Sequence, residues 1–247
     1  MKIAVLGATK GMGRALVRRL FERGDELFLL GRDRQDVGQS ARDLESRVGK
    51  PAGSVGTAAC DLEHPEGFAA ALAAAEAALG GLQAVIVTAG LFATQEQLEA
   101  DPELARRLLT VDFANTVLFC EEARRRLLAR GGGTLCVFSS VAGERGRKPV
   151  VLYGAAKAGL TRYLEGLDHK FRAQGLRTIC VKPGFVRTGM TAGLKAPPFA
   201  GEPDAVAAQV VRAIDGGTPV VYAPGIWRLV MFVIRLLPRF VMRKIGF

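Results

Sequence analysis

The stretch Lys2-Ile-Ala-Val-Leu6-Gly7-Ala-Thr-Lys-Gly11-Met-Gly13 decides the fold of this 247-residue chain. Its apolar run at 3–6 predicts a strand, and a helical pattern begins at about residue 12. Glycines between a first strand and a first helix let the backbone turn tightly and approach an anion, and the helix N-terminus favours negative charge. The stretch therefore predicts the phosphate-binding turn of a dinucleotide-binding βα unit.

Apolar runs and helical patterns go on alternating along the chain. Strands are predicted at 3–6, 27–30, 55–59, 84–88, 135–139, 179–181 and 220–223, and helices at about 12–23, 34–47, 66–79, 102–130, 152–174 and 203–215. Most strand runs are continuously apolar, as in strands that are covered on both faces. The pattern predicts an α/β fold of one Rossmann-type domain, with a doubly wound parallel sheet of about seven strands and helices on both faces.

Composition narrows the class of protein. The chain is 49% apolar with 30 Gly, which is typical of a globular enzyme. A net charge of +10 is compatible with nucleic acid, an anionic membrane or an anionic substrate, but no basic cluster with interleaved aromatic residues appears, so we do not expect nucleic acid binding. Four cysteines without a C-x-x-C pair indicate buried, reduced thiols, and two distant histidines predict no metal site. No signal peptide is recognisable, so we expect a cytoplasmic protein.

The residues after the second, third and fourth strands indicate which dinucleotide binds. Arg32 follows strand two, and with Lys10 of the glycine-rich turn it could clamp a 2'-phosphate, which favours NADP(H). Asp33 leaves NAD(H) as an alternative, since a carboxylate there could bind the ribose. Asp61-Leu62 follows strand three near the expected adenine, and Thr88-Ala89-Gly90 offers small residues after strand four.

Ser140, Tyr153 and Lys157 form the candidate catalytic set. Tyr153 and Lys157 lie at i and i+4, so they share a helix face. A phenol titrates near about 10, and an adjacent ammonium should lower the pKa towards the range where a general acid or base works. Ser140 is the natural third partner. The spacing by itself is also compatible with an ordinary amphipathic helix that places Tyr153 partly in the core.

Together these motifs resemble the short-chain dehydrogenase/reductase family, from Lys2 to about Ala223. The resemblance covers Pro183-Gly184 and Thr188, where the family closes over the nicotinamide. It implies hydride transfer from NADPH to a ketone, with Tyr153 as general acid, Ser140 on the carbonyl oxygen and Lys157 on the nicotinamide ribose. The implied cofactor-binding residues are Gly7, Thr9, Lys10, Gly11, Met12, Gly13, Arg32, Asp61, Leu62, Ala89, Gly90, Tyr153, Lys157, Pro183, Gly184, Val186 and Thr188.

Three residues depart from the family pattern. Leu6 stands where a Thr is common, and Thr88 stands where an Asn often opens an Asn-Ala-Gly turn. The family's fourth catalytic residue is an Asn, and position 112 holds Asp112 instead. We include Asp112 in the catalytic set, with the expectation that its charge perturbs the pKa values of Lys157 and Tyr153.

The C-terminal third resembles more narrowly the decaprenylphosphoryl-2-keto-ribose reductases, through Lys182-Pro-Gly-Phe-Val-Arg-Thr-Gly-Met and the sequence around Ala223-Pro-Gly-Ile-Trp-Arg. This likeness implies a ketone substrate on a polyprenyl phosphate. The alternatives are a reductase of a small ketone or a 3-oxoacyl group, and a non-catalytic, redox-sensing NADP-binding regulator.

We predict a catalytic domain over 1–224, with a substrate lid at about 189–203, and a basic amphipathic tail over 225–247. The tail carries five cations and no acid, and Arg228, Arg235, Arg239 and Arg243 are expected on one helical face, with a break or kink at Pro238. Such a segment can lie on an anionic membrane, here the inner face of the plasma membrane. Family members also use this region to pack a homodimer or homotetramer.

Overall fold

Seven strands form one parallel sheet in a computed structural model that describes residues 1–245. The strands are β1 (Lys2–Leu6), β2 (Glu26–Gly31), β3 (Gly56–Ala59), β4 (Ala84–Val87), β5 (Gly133–Phe138), β6 (Leu176–Pro183) and β7 (Val220–Ala223). Their order is β3-β2-β1-β4-β5-β6-β7 and every pairing is parallel. The predicted doubly wound sheet is therefore confirmed.

Helices cover both faces of the sheet. They are α1 (Gly11–Glu22), α2 (Arg34–Val48), α3 (Phe68–Leu79), α4 (Gln95–Ala100), α5 (Pro102–Leu109), α6 (Thr116–Ala129), α7 (Val151–Phe171), α8 (Pro203–Gly216), α9 (Trp227–Leu236) and α10 (Arg239–Lys244). Residues such as Ile3 and Val5 face the core with α1, α2 and α8, whereas Ala4 and Leu6 face α3, α6 and α7. This alternation along β1 explains why its whole run is apolar.

Some element boundaries differ from the sequence prediction. The helix predicted over 102–130 consists of α5, a π-helical segment at Thr110–Asn115 and α6. The short α4 was not predicted, and β6 extends beyond both ends of the predicted strand. The helix predicted over 152–174 ends at Phe171, followed by a 3₁₀ turn. All four cysteines are buried and free, as predicted.

The tail contains two helices, because the chain is extended at Leu237 and Pro238 between α9 and α10. The break at Pro238 is confirmed. The prediction that four arginines share one helical face is wrong, since Arg228 and Arg235 lie on α9 while Arg239 and Arg243 lie on α10. Gly246 and Phe247, which end the predicted tail, lie outside the described residues.

One face of α9 packs against the domain. Trp227, Met231 and Ile234 are buried in a cluster with Val141, which follows β5. Arg145 donates a hydrogen bond to the carbonyl oxygen of Leu237 at 2.7 Å, and the Lys148 ammonium donates to that of Arg243 at 2.7 Å. Over residues 1–245, none of the helices has the length and apolar character that crossing a bilayer requires.

Candidate active site

The strand order reverses between β1 and β4, and the site residues predicted from sequence gather at the carboxyl ends of these strands and their neighbours. In an open α/β sheet, the loops diverge at such a point and leave a crevice where ligands bind. The glycine-rich turn follows β1, Thr88 follows β4, and Ser140 follows β5. Position in the fold therefore brings together motifs that are far apart in sequence.

The glycine-rich turn fits a pyrophosphate. Gly7 has φ +97°, and a Cβ there would lie 2.4 Å from the Ala89 nitrogen; a Cβ on Gly13 would lie 2.1 Å from the Gly7 oxygen. Only glycine allows these approaches. Within residues 1–245, no side chain caps the N-terminus of α1, and its first turn has no acid, so its N–H groups and dipole are available to an anion.

Thr88 fixes this turn from the neighbouring strand. Its single hydroxyl proton is shared between two carbonyl oxygens, that of Gly7 at 2.9 Å and that of Leu6 at 3.2 Å. A hydroxyl therefore ties the end of β4 to the glycine-rich turn at the position where the family often has Asn. On the other side of the turn, a Cβ on Gly11 would lie 3.3 Å from the Thr188 side chain, which brings the segment after β6 next to the same turn.

The segment after β2 and the glycine-rich turn carry exposed cations. Arg32 is exposed after β2, and the Lys10 ammonium lies 3.3 Å from a carboxylate oxygen of Asp36. Asp33 caps α2, because one of its carboxylate oxygens accepts hydrogen bonds from the backbone N–H groups of Gln35, at 2.7 Å, and Asp36, at 3.0 Å. These bonds, together with the charges of Lys10 and Arg32, lower the pKa of Asp33. The carboxylate considered as an alternative ribose ligand thus has a structural role.

The residues after β3 are held in place by their neighbours. Asp61 accepts a hydrogen bond from the Glu63 N–H at 3.0 Å. Leu62 is buried, and its carbonyl oxygen accepts a hydrogen bond from the Asn115 amide at 2.6 Å. Asn115 therefore anchors the loop that follows β3.

Ser140, Tyr153 and Lys157 meet where α7 passes the end of β5. The Ser140 hydroxyl accepts a hydrogen bond from the Ala142 N–H at 3.1 Å, and it lies close enough to the Tyr153 phenol to act against the rise in the pKa of that phenol. The Lys157 ammonium lies 5.6 Å from the centre of the Tyr153 ring. A Cβ on Gly143 would lie 2.6 Å from the Lys157 carbonyl carbon, so the loop that carries Ser140 lies directly on α7.

Asp112 forms a buried ion pair with Lys157. The two side chains are 0% and 5% exposed, and the ammonium lies 3.2 Å from Oδ2 of Asp112. The other carboxylate oxygen accepts a 2.6 Å hydrogen bond from the Leu91 N–H. Burial raises the pKa of Asp112, and Lys157 and Leu91 oppose this shift. Burial disfavours the Lys157 ammonium, but the charge of Asp112, with that of Tyr153 when it is ionised, outweighs burial, so the pKa of Lys157 is raised.

The pKa of Tyr153 is raised above its ordinary value, which corrects the sequence prediction. Burial is the largest cause, the charge of Asp112 adds to it, and Lys157 and Ser140 oppose it without prevailing. The sequence argument counted only the attraction to Lys157. It omitted the desolvation of the phenolate by neighbours such as Phe92, whose ring packs edge-on at 5.2 Å. Tyr153 is therefore held as the protonated phenol, the form that a general acid requires.

A mostly apolar cleft of about 380 Å³ opens beside Tyr153 and Ser140. The segment predicted as a lid supplies part of its wall. The residues that line it include Met12, Phe92, Thr94, Arg147, Pro183, Gly184, Val186, Thr188, Met190, Leu194, Pro197 and Trp227. Pro183, Gly184, Val186 and Thr188, which the resemblance assigned to the cofactor, thus border the same space as the catalytic set.

Trp227 lines this cleft and Glu144 supports the loop that carries Ser140, and sequence reasoning missed both roles. A Cβ on Gly184 would lie 2.1 Å from the Trp227 indole nitrogen, which itself donates a 3.3 Å hydrogen bond to the carbonyl oxygen of Phe199. The buried Glu144 carboxylate pairs with Lys182, at the end of β6, and with Arg235 of α9 at 3.3 Å. It therefore ties the Ser140 loop to β6 and to the tail. No local pattern in the sequence indicates either contact.

Known proteins are similar to this chain along most of its length. Residues 1–198 match the short chain dehydrogenase family. An uncharacterized oxidoreductase of Mycobacterium tuberculosis is 31% identical, covering 98% of this chain and 96% of that protein. The cis-4-hydroxycyclohexanecarboxylate dehydrogenase of Sinomonas cyclohexanicum is 31% identical, over 78% of this chain and 76% of that protein. The solved structure of an actinorhodin polyketide ketoreductase variant with NADPH is matched over 90% of this chain and 95% of that one. Its TM-score of 0.79 at 20% identity shows a likeness in fold.

The chain belongs to the short-chain dehydrogenase family and is an NAD(P)-dependent oxidoreductase.

Proposed function

We propose that this protein reduces a ketone to an alcohol with NADPH, and that Tyr153 is the general acid. The observation that carries the proposal is the convergence of Ser140, Tyr153 and Lys157 beside an apolar cleft that adjoins the glycine-rich turn. When bound, the dinucleotide would supply a hydride to the ketone carbon. Its pyrophosphate would lie on Gly7–Gly13 and the N-terminus of α1.

Each catalytic side chain has a defined role in this proposal. The Tyr153 phenol gives its proton to the carbonyl oxygen as negative charge develops there, and the Ser140 hydroxyl donates a hydrogen bond to the same oxygen. The Lys157 ammonium stabilises the phenolate that remains and would bind the nicotinamide ribose. Asp112 holds Lys157 in place and keeps it protonated, as their 3.2 Å contact supports.

The reduction is tested by Tyr153→Phe, which removes the proton donor and keeps the ring. We expect loss of ketone reduction with nearly unchanged NADPH binding, measured by NADPH oxidation and by cofactor fluorescence. The matched control is Tyr163→Phe, since the Tyr163 hydroxyl bonds to Glu121 away from the cleft. Retained turnover in Tyr153→Phe would refute the mechanism. Wild-type protein that binds NADPH but reduces no ketone would favour the alternative, a redox-sensing regulator.

The preference for NADPH over NADH is proposed from Arg32 and Lys10, which are both exposed near the end of β2 and the glycine-rich turn. Arg32→Ala should raise the KM for NADPH by roughly 10- to 100-fold, as expected for one charge-assisted hydrogen bond, and leave the KM for NADH nearly unchanged. Arg42→Ala, an exposed arginine on α2, is the control. An equal effect on both cofactors would contradict the 2'-phosphate clamp.

The substrate is proposed to be an amphipathic or lipid-linked ketone, because the cleft walls are mostly apolar and include the segment proposed as a lid. A keto-sugar on a polyprenyl phosphate is the candidate that the C-terminal likeness suggests. A small ketone or a 3-oxoacyl group is the second candidate, since the cleft would also accept these. Peripheral attachment to the inner face of the plasma membrane through the tail, and a homodimer or homotetramer, complete the proposal.

A further inference from the structure

Helix α9 is apolar on two opposite faces, and only one of them is packed. Trp227, Met231 and Ile234 are buried against the domain. The other face, which we call the outer face of α9, consists of Leu229, Phe232, Val233 and Leu236, which are 61%, 60%, 52% and 69% exposed. Their i, i+3, i+4, i+7 spacing forms one continuous stripe. A contiguous apolar stripe of this kind marks an interaction surface, whereas single exposed apolar residues do not.

The charges around this face favour an anionic partner. Arg228, Arg239, Arg243 and Lys244 are exposed, and residues 216–247 contain no Asp or Glu. A second copy is a poor partner, because a twofold contact brings the same patch face to face and would oppose these cations with no carboxylate of the segment to offset them. An anionic bilayer complements both the apolar stripe and the cations. The ten residues of α9 rise about 15 Å, which suits a helix lying in the interface.

Helix α9 borders the cleft through its packed face. Trp227, on the packed face, lines the cleft and bonds to the carbonyl oxygen of Phe199. Phe199 is 59% exposed and holds a left-handed φ of +66°, which is costly for an aromatic residue. Met190 and Leu194 line the cleft and are also exposed. Apolar side chains therefore continue from the cleft wall to the surface beside α9.

We propose that the outer face of α9 and Phe199 dock onto the surface of an anionic bilayer, so that an amphipathic ketone enters the cleft directly from the lipid. This inference rests on the proposed function, whose membrane attachment it assigns to one surface, but the docking does not depend on the ketone reduction. The orientation follows from the geometry: docking through the outer face of α9 brings the cleft wall that contains Trp227, on the opposite face, to within one helix of the lipid.

The docking is tested with full-length protein and vesicles of phosphatidylglycerol and phosphatidylcholine, against phosphatidylcholine alone. Wild-type protein should co-sediment with the anionic vesicles, and less so as salt rises. Leu229→Ser with Leu236→Ser should weaken this partition by at least roughly tenfold, because two leucines leave the interface. Leu109→Ser with Leu118→Ser, two exposed leucines on α5 and α6, is the matched control and should leave the partition unchanged.

A charge variant and an activity assay complete the test. Arg239→Gln with Arg243→Gln should weaken binding to anionic vesicles by about 25-fold, at roughly fivefold for each cation. Turnover of a water-soluble ketone should survive in the Leu229, Leu236 variant, and vesicle binding should survive in Tyr153→Phe. Absent sedimentation of an active wild-type enzyme would overturn the docking and leave the reaction standing. Vesicle binding without any ketone turnover would overturn the proposed reaction and leave the docking standing.

Light scattering tests the competing occupant of the outer face of α9, which is a second copy of this chain. If Leu229→Ser with Leu236→Ser lowers the mass of an oligomer and leaves vesicle binding unchanged, the outer face of α9 joins two copies, and the docking proposal is wrong. An unchanged mass with weakened vesicle binding supports it.

Discussion

A carboxylate at position 112 changes the electrostatics of the proposed proton donor. An Asn in that place could accept the Leu91 N–H hydrogen bond, but it would place no charge beside the Lys157 ammonium. Asp112 instead forms a buried ion pair at 3.2 Å, and its negative charge also acts on Tyr153. Lys157 and Asp112 therefore shift the Tyr153 pKa in opposite directions, and together with burial the result is a raised pKa. A raised pKa keeps the phenol protonated to higher pH, which suits reduction.

Asp112→Asn should consequently shift the pH dependence of the reaction. Reduction needs the protonated phenol, so kcat/KM falls as pH rises through the Tyr153 pKa. Because the Asp112 charge raises that pKa, its removal should lower it and move the alkaline limb of the profile to lower pH. For alcohol oxidation, which needs the phenolate, the rising limb should move to lower pH as well. The measurement is kcat/KM against pH in both directions.

The outcome separates an electrostatic role from a structural one. If Asp112 only supports the local fold, Asp112→Asn lowers kcat evenly at all pH values and the limbs stay in place. Asp112→Glu is the control for the loss of charge, because it keeps the carboxylate. Its profile of kcat/KM against pH should stay closer to that of the wild type.

At the scale of elements, the sequence predicts the strands, helices and turns that depend on residues close to one another in the chain. The turn after β1 was predictable because Gly7 and Gly13 meet steric demands that only glycine satisfies. The inner strands were predictable because both of their faces are buried, which leaves continuous apolar runs. The short α4 also had a readable signal, since Thr94 and Gln97 form a capping box, but six residues are too few for a helical periodicity to show.

Other elements depend on contacts that the sequence does not encode locally. The π-helical segment at Thr110–Asn115 places Asp112 next to Lys157 of α7 and Asn115 next to Leu62, two partners distant in sequence. The two apolar faces of α9 cannot be told apart by pattern, because only the domain beneath determines which one is packed. The spacing of Ser140, Tyr153 and Lys157, taken with the glycine-rich turn, predicted that they form one site. By contrast, Trp227 reaches the cleft, and Glu144 pairs with Lys182 and Arg235, through such long-range contacts.

At the scale of the whole molecule, α9 supports the cleft as well as presenting its outer face. A chain ending at Gly225 would lose Trp227, Met231 and Ile234 and uncover Val141, which follows Ser140 directly. Loss of a large buried side chain costs about 2–5 kcal/mol, and each kcal/mol shifts the Tm of a domain this size by about 2–4 °C. We expect a Tm at least roughly 10 °C lower in thermal unfolding, together with a raised KM for ketone in any protein that stays folded.

A chain ending at Leu237 is the matched comparison, because it removes α10 and keeps every buried residue of α9 in place. It should unfold close to the wild-type Tm and retain turnover of a water-soluble ketone. Similar Tm values for the two truncated chains would show that α9 contributes little to the fold. Because a chain ending at Gly225 loses a cleft wall along with the outer face of α9, point substitutions on that face are the sharper probe of membrane contact.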